Sequence, residues 1–164
     1  MEERERNRLL REVRRFRFAQ ADMRQAAAAA EALQREQGDG DLCRALETAI
    51  VVIYARPFTP PNKVGPLGPE WAPTEPLLHN LHRELMEKRD QVYAHSDETA
   101  LRDVVDNGAT LGKDHPVYSE QWYPVSRSML PIFIRMAREQ EGRFYKAAVE
   151  RESKLGAKQL GRDE

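Results

Sequence analysis

From Glu2 to Gln37 the chain reads as one long amphipathic helix, and a helix of that length dictates much of what the rest can be. Leu9, Leu10, Val13, Phe16 and Met23 form its apolar stripe, and Ala26 to Ala30 are the best helix formers there are. Gly38-Asp39-Gly40 ends it. Asp41 (or Asp39) is placed to cap a second helix, in which Leu42, Ala45, Leu46, Ala49, Ile50 and Ile53 recur at helical spacing. That helix stops near Arg56, because Pro57 disfavours α geometry in the residue before it.

Residues 57–73 hold Pro57, Pro60, Pro61, Pro66, Pro69 and Pro73 together with Gly65 and Gly68. Such a stretch is an irregular loop, too short to separate domains and of a length at which loops often carry function. Thr74 is expected to cap a third helix with Pro76 in its first turn, running to about Ala94. Residues 96–122 are less regular, and Asp106-Asn107-Gly108 is a tight-turn signal that points to a short hairpin. The last helix is expected from Val125 to Leu155, with Leu130, Phe133, Ile134, Ala137, Phe144 and Ala148 inward. Beyond Gly156 the tail is polar and expected to fray. There is no internal repeat. The economical architecture is all-α: a single antiparallel four-helix bundle over residues 1–155, followed by the tail 156–164.

Composition narrows the function classes. With 164 residues the chain is long enough for one real core. Its 40% hydrophobic and 32% charged residues suit a helical protein with wide solvated faces. The longest strongly apolar run, Ala49 to Ala55, falls far short of the ~20 residues that span a bilayer. Met1 to Arg6 lacks the apolar region of a secretory signal, and a single cysteine, Cys43, suits a reducing compartment; a cytoplasmic location is expected. A net charge of -1 gives no global attraction to nucleic acid or membrane, so any such affinity must be a local patch.

Several chemistries drop out. A carboxylate-bridged metal bundle needs Glu and His three apart on one helix face, and no Glu here has His three positions later. His79 and His82 share a face but lack an obvious third ligand, so neither a metal nor another cofactor is expected. Gly108 to Asp114 is one residue too short for a phosphate loop and lacks its magnesium-holding hydroxyl. Cys43 sits beside core positions and reads as packing.

What remains is Leu85 to Asp97, at the end of helix three. On a helical wheel Leu78, Leu81, Leu85 and Val92 define a buried stripe, and Arg89 falls inside it, about 20° from Leu78. An always-charged guanidinium facing a core is costly unless it meets an acid or lines a polar groove. Lys88 lies near the same stripe, where a long basic chain can snorkel. His95 falls at the edge of that face, about 9 Å further along the axis. The two meet only if the helix unwinds after Tyr93 or if two copies pack face to face.

Arg89-Asp90-x-x-x-Ala94-His95-Ser96-Asp97 resembles the Arg-Asp-x-x-x-Ala-His signature of abortive-infection-type proteins of the HEPN superfamily. Tyr54-Ala55-Arg56-Pro57-Phe58-Thr59 resembles the end of their second helix and the turn that follows. The likeness spans roughly residues 42–97. It departs from the variant tied to nucleotidyltransferase antitoxins, in which Tyr follows the His by two: Asp97 stands there, and Tyr93 precedes the His. The resemblance implies a metal-independent endoribonuclease, a toxin or phage-defence effector, working as a homodimer whose motifs face a shared cleft. A small antitoxin or regulatory protein would be a further partner. His95 would be general base toward a ribose 2′-hydroxyl or acid toward the leaving oxygen. Arg89 would hold the scissile phosphate, Asp90 would orient one of the two, and Tyr93 would support the cleft.

The same superfamily includes binding and scaffold modules, so a non-catalytic helical dimer that binds RNA or protein is the competing expectation. In that case His95 opposes the helix dipole and Arg89 pairs with a buried carboxylate. A weaker feature lies on the first helix, where Arg4, Arg8, Arg11 and Arg15 share one ridge that could track an RNA backbone. Glu2, Glu3, Glu5 and Glu12 are interspersed, which also suits a solvated face with i,i+4 pairing.

Overall fold

The computed structural model describes residues 3–38, 40–60, 65–94 and 125–160. Among them are four α-helices and no strand: α1 (Glu3–Arg35), α2 (Asp41–Ala55), α3 (Pro76–Ala94) and α4 (Leu130–Leu160). Short 3-10 turns occupy Arg56–Phe58, Pro69–Trp71 and Arg127–Met129. The expected all-α bundle is the fold. The hairpin expected at Asp106-Asn107-Gly108 lies outside the described residues.

The long helices α1 and α4 run antiparallel, as three ion pairs along them show. Arg17 meets Glu152 at 2.7 Å, Arg24 meets Glu141 at 2.8 Å, and Glu31 meets Arg138 at 2.9 Å. Rising numbers on α1 meet falling numbers on α4. The interface itself is apolar: Phe16, Met23, Ala27 and Ala30 of α1 pack in one core with Phe133, Ala137, Phe144 and Ala148 of α4. The alanines are small, which suits close approach of two long helices. α2 folds back along α1, with Arg56 3.6 Å from Asp22 at one end and Cys43 Sγ 3.5 Å from the Gly38 carbonyl at the other. α3 begins beside Met136, Glu139 and Arg143 of α4, where Glu75 pairs with Arg135 at 2.8 Å, and by His82 it has reached Tyr54, which packs on Phe133, so it runs antiparallel to α4. It therefore runs antiparallel to α2.

The helix starts depart from expectation in instructive ways. α2 is preceded by Gly40 in extended conformation, with no side-chain cap bond. Asp41 instead sits inside the first turn, where a carboxylate favours the helix dipole. The carbonyl that opens α3 belongs to Glu75, which accepts the His79 N–H at 2.8 Å, so Thr74 lies one residue outside the cap. α4 begins at Leu130 rather than Val125, because Pro131 has no N–H and its ring obstructs a preceding helical turn. It continues through Gly156 to Leu160, beyond the expected end at Leu155.

The buried face of α2 is also rotated from the expected one. Leu42 is 57% exposed and Ala45 is exposed, whereas Cys43, Glu47, Ile50, Val51 and Tyr54 are buried. The spacing of Leu42, Ala45, Leu46, Ala49, Ile50 and Ile53 points to one face, but a helix packed against α1 on one side and α3 on the other is centred on Tyr54, the bulkiest side chain of its core. Leu42, in the first turn, is left facing solvent.

The described end of the proline-rich loop, around Trp71, is packed against the bundle. Trp71 wedges against Phe16 and Phe144, with ring centroids 4.6 and 5.9 Å away. Its carbonyl accepts Gln140 Nε2 at 2.8 Å, and Arg143 donates to the carbonyls of Glu70, Trp71 and Ala72. The carbonyls of Glu70, Trp71 and Ala72 thus find their donors on α4 side chains.

Candidate functional site

The Tyr54-to-Thr59 stretch and α3, the two segments that carry the sequence resemblance, are fastened together in the fold. Tyr54 lies on the last turn of α2, fully buried, and its hydroxyl is 2.9 Å from His82 Nδ1 on α3. Phe58, in the 3-10 turn after α2, stands edge-on to the His82 ring at 4.8 Å. Phe133 of α4 closes on Tyr54 at 5.5 Å. Pro57 is buried and its carbonyl accepts the Leu67 N–H at 2.7 Å, while the Thr59 hydroxyl donates to the Ala55 carbonyl. The turn is thereby fixed, and with it the position of α3 against α2.

Burial pushes the His82 imidazole down to about 4, helped by the nearby His79 ring, so His82 is neutral at physiological pH. Burial likewise pushes the Tyr54 hydroxyl well above its ordinary range. His79 turns elsewhere, its Nδ1–H donating to the Pro73 carbonyl at 3.1 Å. Although the two rings are 6.3 Å apart, each serves its own hydrogen bond. Among the described residues there is no group of three side chains suited to hold a metal ion.

Further along α3, Leu78, Leu81 and Leu85 are buried, and Arg89 follows them on the inward side with its side chain 23% exposed. The wheel placed it there. Its Nη1 donates to Asp90 Oδ1 at 2.8 Å, and Asp90 itself is 69% exposed. The pair therefore sits at the rim: the cation leans in and the carboxylate stands in water. Lys88 is also drawn in, 2.9 Å from Glu84 one turn earlier. His95 and the side chain of Tyr93 lie outside the described residues, so the structure brings together Arg89 and Asp90 of the expected set.

On the first helix, Arg4, Arg8 and Arg11 are exposed and Arg15 is half-buried. Arg8 is 3.8 Å from Glu12, which also takes Arg151 at 3.0 Å. The Arg15 guanidinium lies over Gly65, so close that a Cβ there would be 2.8 Å from Nη2. The ridge is thus divided between a solvated end and a residue committed to the loop.

Two features escaped the sequence. One is Glu47, a carboxylate only 7% exposed on the buried face of α2. Its helical register with Ile50 and Tyr54 is the signal that would have found it. The other is a cavity of about 240 Å³ between the start of α3 and α4, lined by Pro73, Glu75, Leu78, Met136, Glu139 and Arg143. It lies at the opposite end of α3 from Arg89, roughly 20 Å away along the helix axis. Cys43 is buried, with Arg127 Nη2 3.4 Å from its sulfur.

A scan against family models finds none that matches, and searches of curated proteins and of solved structures find no match either. No helix among the described residues is long and apolar enough to cross a membrane.

Proposed function

We propose that the protein is a HEPN-like endoribonuclease of the toxin or phage-defence kind, acting on RNA without a metal ion through a cleft shared by two copies. The observation that carries this reading is Arg89: a permanently charged side chain drawn into the inward side of α3 and tethered to Asp90 at 2.8 Å. A guanidinium held in that way presents a rigid fork, which matches the paired oxygens of a phosphodiester.

In the proposed reaction, His95 takes the proton of a ribose 2′-hydroxyl as its oxygen attacks the adjacent phosphorus. The P–O5′ bond breaks, the 5′ oxygen leaves with the proton that the His95 imidazole took up, and the new P–O2′ bond makes a cyclic phosphate. Arg89 neutralises the charge that builds on the non-bridging oxygens, an effect that is strongest in a site shielded from water. Histidine as a side-chain type suits either role, base or acid, near neutral pH. Asp90 fixes the direction of the Arg89 fork, and Tyr93 is assigned a supporting role. A second copy supplies the partner Arg89–His95 set.

The test is a cleavage assay on a mixed RNA pool in excess chelator. The wild-type protein is expected to cut, and Arg89→Ala and His95→Ala to lose activity while keeping wild-type circular dichroism. A wild-type protein that binds RNA or itself but never cuts overturns the reading in favour of a helical scaffold. Activity abolished by chelator, or retained by His95→Ala, overturns the mechanism.

A further inference from the structure

The arginines of α1 divide by partner. Between Arg4 and Phe18 the chain holds seven arginines, two glutamates and no lysine. Arg17, like Arg24 further on, is spent on α4, at 2.7 Å from Glu152 and 2.8 Å from Glu141. Arg15 is turned to the loop at Gly65. Arg4, Arg11 and Arg14 are exposed, and among the described residues no carboxylate lies within ion-pair distance of them.

These three share one face with Phe18, which is 58% exposed. At about 100° per residue, Arg11, Phe18 and Arg14 fall roughly 20°, 40° and 80° to one side of Arg4. The two glutamates stand on the other side, Glu12 about 80° and Glu5 about 100° from Arg4. Glu12 is taken by Arg151 of α4 at 3.0 Å. Asp22, one turn beyond Phe18, ends the stripe and is held by Arg56 at 3.6 Å. The result is a strip about 21 Å long on the outer side of α1, cationic along its length and closed by an aromatic ring.

We propose that this face of α1 binds single-stranded nucleic acid, with Arg4, Arg11 and Arg14 on phosphates and the Phe18 ring stacked on a base. The site lies apart from Arg89 on α3, and it stands whether or not the protein cuts RNA. Charge decides the class of partner. A row of cations without counter-charge, on a chain whose net charge is -1, is complementary to a polyanion. Guanidinium forks, unlike the point charges of lysine, match the paired oxygens of a phosphodiester. Phe18 decides the form. A duplex keeps its bases stacked inside, whereas an unpaired base presents a free face to a phenyl ring. One ring is too little apolar surface to seat a helix in a lipid interface, which takes a whole apolar face. At ~3.4 Å per nucleotide of a stacked strand, the strip accommodates about six nucleotides.

The test is fluorescence anisotropy with two labelled dodecamers, a 2′-O-methyl uridine strand and a thymidine DNA strand. Neither can be cut by attack of a 2′-hydroxyl, so binding is read apart from cleavage. Arg11→Ala combined with Arg14→Ala is expected to lower the slope of log K against log salt by about 1.4, two phosphates at ~0.7 each. Phe18→Ala is expected to weaken binding on the order of 10-fold with the slope unchanged, and Phe18→Trp to bind at least as tightly as wild type. All three positions are exposed, so circular dichroism and urea midpoints should match wild type. Equal losses on both strands assign the site to phosphate and base alone, and losses confined to the uridine strand assign it to RNA. Variants that bind both strands as wild type does overturn the proposal, as does a wild-type protein that binds neither at about 50 mM salt. Binding to phosphatidylglycerol vesicles that disappears in the same variants, with no oligonucleotide bound, gives the face to a membrane surface instead.

Discussion

Tyr54 Oη lies 2.9 Å from His82 Nδ1, and this contact is where α2 is locked to α3. The hydroxyl proton has two acceptors within reach, the imidazole nitrogen and Met136 Sδ at 3.5 Å. Nitrogen is the stronger acceptor, so the neutral His82 ring carries its proton on Nε2. Ring contacts from Phe58 and Phe133 surround the pair. The arrangement works only while His82 is neutral, since a doubly protonated imidazole has no lone pair left to accept.

That requirement makes stability depend on pH. The folded protein holds the His82 imidazole at about 4, while in the unfolded chain it titrates near its ordinary 6.5. Between those values the unfolded state binds the extra proton, so stability falls as pH drops from about 6.5 to about 4. With solvent screening allowed for, the loss is on the order of 1–2 kcal/mol. Urea unfolding at pH 7.0 and 4.5 is expected to show it, and His82→Asn is expected to flatten the pH dependence. An unchanged slope in that variant would remove His82 as its source.

Arg127 closes the far end of the bundle. It donates to the carbonyls of Glu36, Leu33 and Gly38, the first two at 2.6 and 3.3 Å, and so satisfies acceptors that the end of α1 leaves open. Arg127→Met keeps the length of the chain but none of the donors. It is expected to destabilise by about 2–3 kcal/mol, as bonds to a charged donor are lost together. Hydrogen exchange should quicken at the α1–α2 junction and stay unchanged near Trp71.

How much of this was legible follows from what a helical wheel can and cannot resolve. The inward side of α4 was readable because Leu130, Phe133, Ala137, Phe144 and Ala148 recur at helical spacing, and all five are buried, with Ile134 at the edge and partly buried. The place of Arg89 was readable for the same reason in reverse, as a charge on an apolar stripe. On α2 periodicity pointed to the face of Leu42, Ala45, Leu46, Ala49, Ile50 and Ile53, while Cys43, Val51 and Tyr54 offer another almost as apolar, and that second face is the buried one. The choice fell to which neighbour needed Tyr54, a tertiary fact. Glu47 was hidden by the same ambiguity. The role of Arg127 was hidden too, because its partners are backbone carbonyls far away in sequence, and these leave no mark on composition.

The corrected face of α2 is itself testable. Leu42, 57% exposed, is expected to accept Lys with a change within about 0.5 kcal/mol. Ile50 is fully buried against the core, and Ile50→Ala is expected to cost about 2–5 kcal/mol. A Leu42→Lys variant as damaged as Ile50→Ala would restore the original face.

The last prediction separates what Asp90 does for folding from what it does for the proposed reaction. Asp90 is 69% exposed, and an ion pair at such a site contributes less than about 1 kcal/mol. Asp90→Asn should therefore unfold within about 1 kcal/mol of wild type. If Asp90 orients the Arg89 fork, the same change lowers kcat roughly 3–10-fold, since a carboxamide still accepts a hydrogen bond but without charge. Arg89→Lys goes further, keeping the charge and losing the fork, and is expected to cost about 100-fold in kcat/KM. The two variants rank orientation against charge. A lysine that works as well as arginine would mean that the site needs only a positive charge near the phosphate, and Asp90 would then have nothing to orient.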